Sequence, residues 1–151
     1  MYRIQDKSQR EFEHFALPFG GHLDENNRWI ELSRIIPWEE FEEKYAEKFD
    51  EETGAPAKSF RMAFGALLIK EKLGLTDRET VEQIRENPYL QYLLGIHGYT
   101  NEAPFDASMM VHFRKRITAE MISEINERIH EEKVKKNGTL IRKLKRKKRL
   151  R

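Results

Sequence analysis

No cysteine occurs anywhere in the 151 residues, so neither disulfides nor thiolate zinc sites can staple this fold. That absence suits a reducing compartment, and the expected location is the cytoplasm. Long apolar runs are missing too. Nothing approaches the roughly 20 residues of a membrane span, and the start, MYRIQDKSQREFEH, lacks the apolar core of a secretion signal. Acidic residues are also absent from one region: after Glu132 there is no Asp or Glu, while Lys133–Arg151 holds 11 Lys/Arg. Removing those 11 from the total of 28 leaves 17 basic side chains against all 26 acidic ones in residues 1–132, a net of −9. Such a body repels a phosphate backbone on average, so nucleic-acid binding must come from a local patch or from the basic end.

What is present is helical. Charged residues make up 36% of the chain, as slender amphipathic helices require. A short helix is expected over about Ser8–Phe15, then a loop marked by Pro18, Gly20, Gly21 and the Asn pair. Trp29, Leu32, Ile35 and Ile36 recur at helical spacing, and Pro37 ends that helix while suiting the first position of the next. Trp38, Phe41, Tyr45 and Phe49 form one apolar stripe, with glutamates on the remaining faces. After a connector at Thr53–Pro56, Ser59–Leu73 is apolar nearly all round and predicts the central buried helix, stopped by Gly74. Thr76 and Glu79 form a capping box for a helix that turns Val81 and Ile84 inward and ends before Pro88. Pro88–Leu94 reads as a further turn or two of helix.

The sequence Pro104–Ile117, PFDASMMVHFRKRI, carries most of the functional information. Asp106 is the expected cap of a helix over Ala107–Ile117. On a wheel of about 100° per residue, Met109, Met110, Phe113 and Ile117 cluster on one side. Ser108, Val111, His112, Arg114 and Lys115 lie away from them, and Arg116 flanks the cluster. A helix that reads DNA needs this division: an apolar face to dock, short polar groups for base edges, and cations for flanking phosphates. Val111 would meet a thymine methyl or a partner chain. The alternative is a plain solvated basic face. Thr118 caps a following helix bearing Met121, Ile122, Ile125 and Ile129, expected to end at Asn137-Gly138. Thr139-Leu140-Ile141 is the first strand-like run. The expected fold is all-α, a compact bundle of about six to seven short helices with a helix-turn-helix-like C-terminal part. Residues 1–137 form the helical domain, and 138–151 a basic, disordered tail.

Several motifs stand in order: Leu75-Thr76-Asp77-Arg78-Glu79, a helix closing near Asn87, Tyr92-Leu93-Leu94-Gly95, then Phe105-Asp106-Ala107-Ser108 with Phe113-Arg114-Lys115-Arg116. Together they resemble the N-terminal (InsH-type) domain of DDE insertion-sequence transposases, well over about Phe60–Glu132 and more loosely before it. The resemblance implies a helical domain that binds transposon terminal inverted repeats and pairs protomers. Full-length members of that family also carry an RNase H-like domain with a two-metal carboxylate site. In the family, the strand bearing the first carboxylate begins much like Gly138-Thr139-Leu140-Ile141. Here Arg142-Lys143-Leu144-Lys145 follows, so this chain is expected to lack the catalytic carboxylates and to be inactive in strand transfer alone.

The residues expected on DNA are Ser108, His112, Arg114, Lys115 and Arg116. Non-specific phosphate contacts are expected from Arg142, Lys143, Lys145, Arg146, Lys147, Lys148 and Arg149. Expected partners are the terminal repeats, a second copy or a full-length transposase; no cofactor, metal, small-molecule substrate or membrane is expected. The reading from another class is a helical protein-interaction module, or an inhibitor of transposition, with no specific DNA binding. His130-Glu131-Glu132 lacks the second histidine of a zinc helix, and His97 has no thiol to activate, so neither suggests catalysis.

Overall fold

The computed structural model describes residues 11–49 and 57–149, and past Gly138 only the side chains of Arg142 and Arg146. The expected start of the first helix at Ser8 and the Thr53–Pro56 connector lie outside the described residues. So do the side chains of Lys143, Lys145, Lys147, Lys148 and Arg149. Eight helical segments are present among the described residues: α1 Glu11–His14, α2 Arg28–Ile35, α3 Trp38–Ala46, α4 Phe60–Leu73, α5 Asp77–Glu86, α6 Pro88–Leu93, α7 Met109–Arg116 and α8 Ala119–Arg149. The fold is an all-α bundle, and the single turn α1 falls within the short helix expected over about Ser8–Phe15. The one extended pairing among these residues is an isolated bridge between Ala16 and Gly98. No described helix is long and apolar enough to cross a membrane.

The core forms around α4. Ser59 accepts a hydrogen bond from the Met62 N–H (3.1 Å), fixing the helix start. Gly74, at φ 63°, ends it in the left-handed conformation that a Cβ disfavours. Between these caps Phe60, Ala63, Phe64, Ala66 and Ile69 are buried. Trp38 meets Phe60 and Phe64 edge-on with centroids 6.2 Å apart, and Tyr45 lies 5.7 Å from Phe60. The predicted stripe of α3 is thereby used in full, although the helix ends at Ala46 and Phe49 packs on Tyr45 from beyond its end (5.2 Å).

The Tyr92–Gly95 segment is a structural junction. Arg61 of α4 donates to the Leu93 and Tyr92 carbonyls at the end of α6 (2.9 and 2.8 Å), and the Tyr92 carbonyl also accepts the Gly95 N–H at 3.0 Å. Gly95 sits beneath it at φ 81°, where a Cβ would come within 3.0 Å of Arg61 Cδ. Buried Gln91 donates to the Ile84 and Thr100 carbonyls and accepts from the Thr100 N–H. It thus ties α5, α6 and the following loop together. Thr76 caps α5 as expected, accepting from the Glu79 N–H at 3.1 Å.

One expectation fails at the C-terminal end. The helix predicted to stop at Asn137-Gly138 continues unbroken as α8 to Arg149, taking the strand-like Thr139-Leu140-Ile141 with it. Gly inside a helix costs about 1 kcal/mol relative to Ala, and Asn somewhat less. That is small beside the propagation of a helix already nucleated and flanked by Lys, Arg, Leu and Ile. The cations of this half also lie toward the negative end of the helix dipole. At about 1.5 Å per residue, the 31 residues of α8 reach roughly 46 Å.

Candidate nucleic-acid interface

The approach to α7 is set by Asp106. Its carboxylate accepts the Ser108 N–H at 2.9 Å, and this bond, followed by one from the Ser108 hydroxyl, holds the carboxyl below its ordinary range. The chain passes through a turn at Ala107-Ser108, so the regular helix begins at Met109, two residues later than predicted. Phe105 is buried and meets Phe113 edge-on at 5.0 Å, which fixes the turn against the bundle. Met110, Phe113 and Ile117 are buried in the cluster built around α4, and Met109 is partly buried against it. The predicted docking face is the observed one.

The opposite side is open. Ser108, Val111, His112, Arg114 and Lys115 are exposed, Val111 to 42%. The predicted site residues nevertheless fall into two kinds. Ser108, His112 and Lys115 share the outer ridge with Val111. Arg114 and Arg116 flank the ridge and are engaged with neighbouring helices.

Arg114 reaches α5, where its guanidinium makes two hydrogen bonds to the Asp77 carboxylate (2.7 and 3.0 Å). Lys70 of α4 approaches the same carboxylate at 3.3 Å. The Arg114 bonds are the main reason that the Asp77 carboxyl is held below its ordinary value, with Lys70 adding to the effect. Arg114 is itself held further toward its charged form by Asp77. Arg116 turns the other way and lies 4.1 Å over the Phe49 ring. It also stands beside buried Tyr45, whose phenol is pushed up by burial while the Arg116 charge opposes that shift. The sequence places Phe49 on an apolar stripe and Asp77 in a helix-start motif, but it pairs neither with α7. Thirty-seven residues separate Arg114 from Asp77, and no periodicity links them.

Of the predicted phosphate contacts on α8, Arg142 and Arg146 are exposed and lie four residues apart, on one side of the helix. Ile117 and Thr118 alone separate α7 from α8, and Thr118 caps α8 by accepting the Met121 N–H at 3.2 Å, as expected. Among the described residues no three His, Asp or Glu side chains converge as metal ligands would.

A family model described as a transposase domain (DUF772) matches residues 18–116, ending on the last residue of α7. The uncharacterized protein ORF8 in the nfe locus of Rhizobium meliloti is 38% identical over 96 residues. That match covers 64% of this chain and 46% of the relative, so the chain spans about half the length of the curated relative it matches. No solved structure matches.

Proposed function

This chain belongs to the DUF772 family of transposase domains, and from that premise we propose that it is the DNA-handling part of an insertion-sequence transposase. In this reading α7 serves as the reading helix of a helix-turn-helix-like unit. Ser108, His112 and Lys115 face the duplex, with Val111 available to a thymine methyl. Arg114 and Arg116 hold the ridge in place and lend their charge to nearby phosphates. Arg142 and Arg146, with the remaining cations of 142–149, grip the backbone without reading sequence. The target is the element's terminal inverted repeat, and the work is done in the cytoplasm.

The observation that carries this reading is the division of α7 into a buried Met110–Phe113–Ile117 face and an exposed polar ridge. Strand transfer is not assigned to this chain alone. Where the transposase resemblance places the first carboxylate strand, the sequence has Arg142-Lys143 and the backbone belongs to α8.

Fluorescence anisotropy of the full chain on a labelled terminal repeat, against a scrambled duplex of equal composition, tests it. Tighter binding to the repeat that His112→Ala and Lys115→Ala abolish is the expected result. Equal affinity for both duplexes overturns it. The net −9 of residues 1–132 and the exposed Val111 favour a second reading, a protein-docking module indifferent to DNA. A tight complex with a protein partner that neither salt nor duplex disturbs would support that instead.

A further inference from the structure

Charge along α8 is sorted by position. Ala119–Glu132 carries five glutamates against the single cation Arg128, whereas Lys133–Arg149 carries ten cations and no acid. The body takes one face of this helix: Met121 and Ile125 are buried, and Ile129 packs on them. On the opposite face Ser123, Glu127, His130 and Val134 follow at spacings of four, three and four, and all four are exposed. Val134, 54% exposed, stands fifteen residues from either end of α8, at its midpoint.

An isolated valine at the centre of a helix with one acidic and one basic half is a self-complementary arrangement. Laid antiparallel about Val134, two copies set each acidic half beside the partner's basic half and bring the two valines together. Laid parallel, they set like charges together along the whole length. Packed helices lie about 8–10 Å apart, within roughly one Debye length at physiological salt, so these charges still act across the contact. A duplex answers only the basic half and is repelled by the acidic one, leaving Val134 unused.

We infer that α8 is a self-docking helix, and that a second copy of this chain lies antiparallel along its outer face with two-fold symmetry about Val134. This deepens the self-association that accompanies the transposase reading. It does not require α7 to meet DNA.

The absence of cysteine makes the geometry directly measurable. In full-length chain, Val134→Cys places one thiol at the two-fold axis and cross-links under mild oxidation. Glu120→Cys does not, because its copies stand about 42 Å apart at 1.5 Å per residue. In sedimentation velocity without DNA, the wild type is a dimer whose dissociation constant rises about tenfold or more as salt goes from ~50 mM to ~500 mM. Reversing charges at helical positions within about 80° of Val134, in the acidic half (Glu120→Lys, Glu127→Lys, Glu131→Lys) or in the basic half (Arg142→Glu, Lys145→Glu, Lys148→Glu), yields monomers. Mixing the two variants restores a dimer, since each now complements the other in antiparallel register. Lys and Glu are comparably good helix formers, and far-UV circular dichroism confirms that the variants fold.

A wild-type monomer at low salt, a dimer that ignores salt, dimerisation only on DNA, or variants that stay apart when mixed would each overturn the inference. Anisotropy on the repeat is read separately. A monomer that still prefers the repeat removes this inference and leaves the DNA reading standing.

Discussion

Arg114 of α7 and Asp77 at the start of α5 share two hydrogen bonds of 2.7 and 3.0 Å, and these tie the exposed ridge to the bundle. The fork of a guanidinium fits a carboxylate in one orientation, so the pair sets the rotation of α7 as well as its position. Asp77 is also well placed at the positive end of the α5 dipole. Partial exposure limits the pair to about 1 kcal/mol or less of stability. Asp77→Asn should therefore leave the fold standing yet weaken the preference for the repeat in anisotropy. Arg114→Lys should behave like Asp77→Asn, because a lysine cannot make the paired contact.

The same pair makes a pH prediction. Asp77 is held below its ordinary value of 3.8, so the unfolded chain takes up its proton first as pH falls. The stabilisation is complete above that value and is lost as pH drops through the lowered one. Chemical denaturation at stepped pH should show wild type more stable than Asp77→Asn at neutral pH. The gap should close below about pH 3.8. A gap independent of pH would sink the assignment.

Arg116 should act through packing. Its guanidinium covers Phe49 at 4.1 Å and stands beside Tyr45, so Arg116→Ala uncovers aromatic surface at the joint of α3 and α7. A loss of about 0.5–1 kcal/mol is expected in thermal denaturation, as for a partly exposed cation on a ring.

The ridge and its docking face should separate cleanly. Phe113 is fully buried, and Phe113→Ala should cost about 3–5 kcal/mol. Lys115→Ala, on the exposed side, should change stability by no more than about 0.5 kcal/mol. In return it should lower the salt dependence of duplex binding by about 0.9 in log–log slope. A Lys115→Ala protein with an unchanged slope would remove Lys115 from the interface.

Gly138 offers a direct check on the length of α8. A Cβ added there meets nothing within 4 Å, and the backbone is helical with no positive φ. Gly138→Ala should stabilise the helix by about 0.5–1 kcal/mol and raise helicity in circular dichroism. A glycine that ended the helix in a left-handed turn would give the opposite sign.

Local chemistry was readable in the residues themselves. The stops and caps at Gly74, Thr76, Pro88 and Thr118 were all legible, because each depends on backbone groups within a few positions. So was the docking face of α7, whose periodicity is intrinsic to the helix. The partners of Arg114 and Arg116 were not, since Asp77 arrives from α5 and Phe49 from just beyond α3, brought together only by the packing around α4. The run through Asn137-Gly138 was misread for a different reason: a turn signal is a preference of about 1 kcal/mol, and a long basic helix outweighs it.

The joint at Ile117-Thr118 gives the molecule a lever. Ile117 is anchored in the core and Thr118 starts the next helix at once, leaving no slack between ridge and shaft. A force applied near Arg149 is therefore met first where Met121 and Ile125 seat α8 in the core and where Glu124 and Arg128 bridge it to Lys44 and Glu40 of α3.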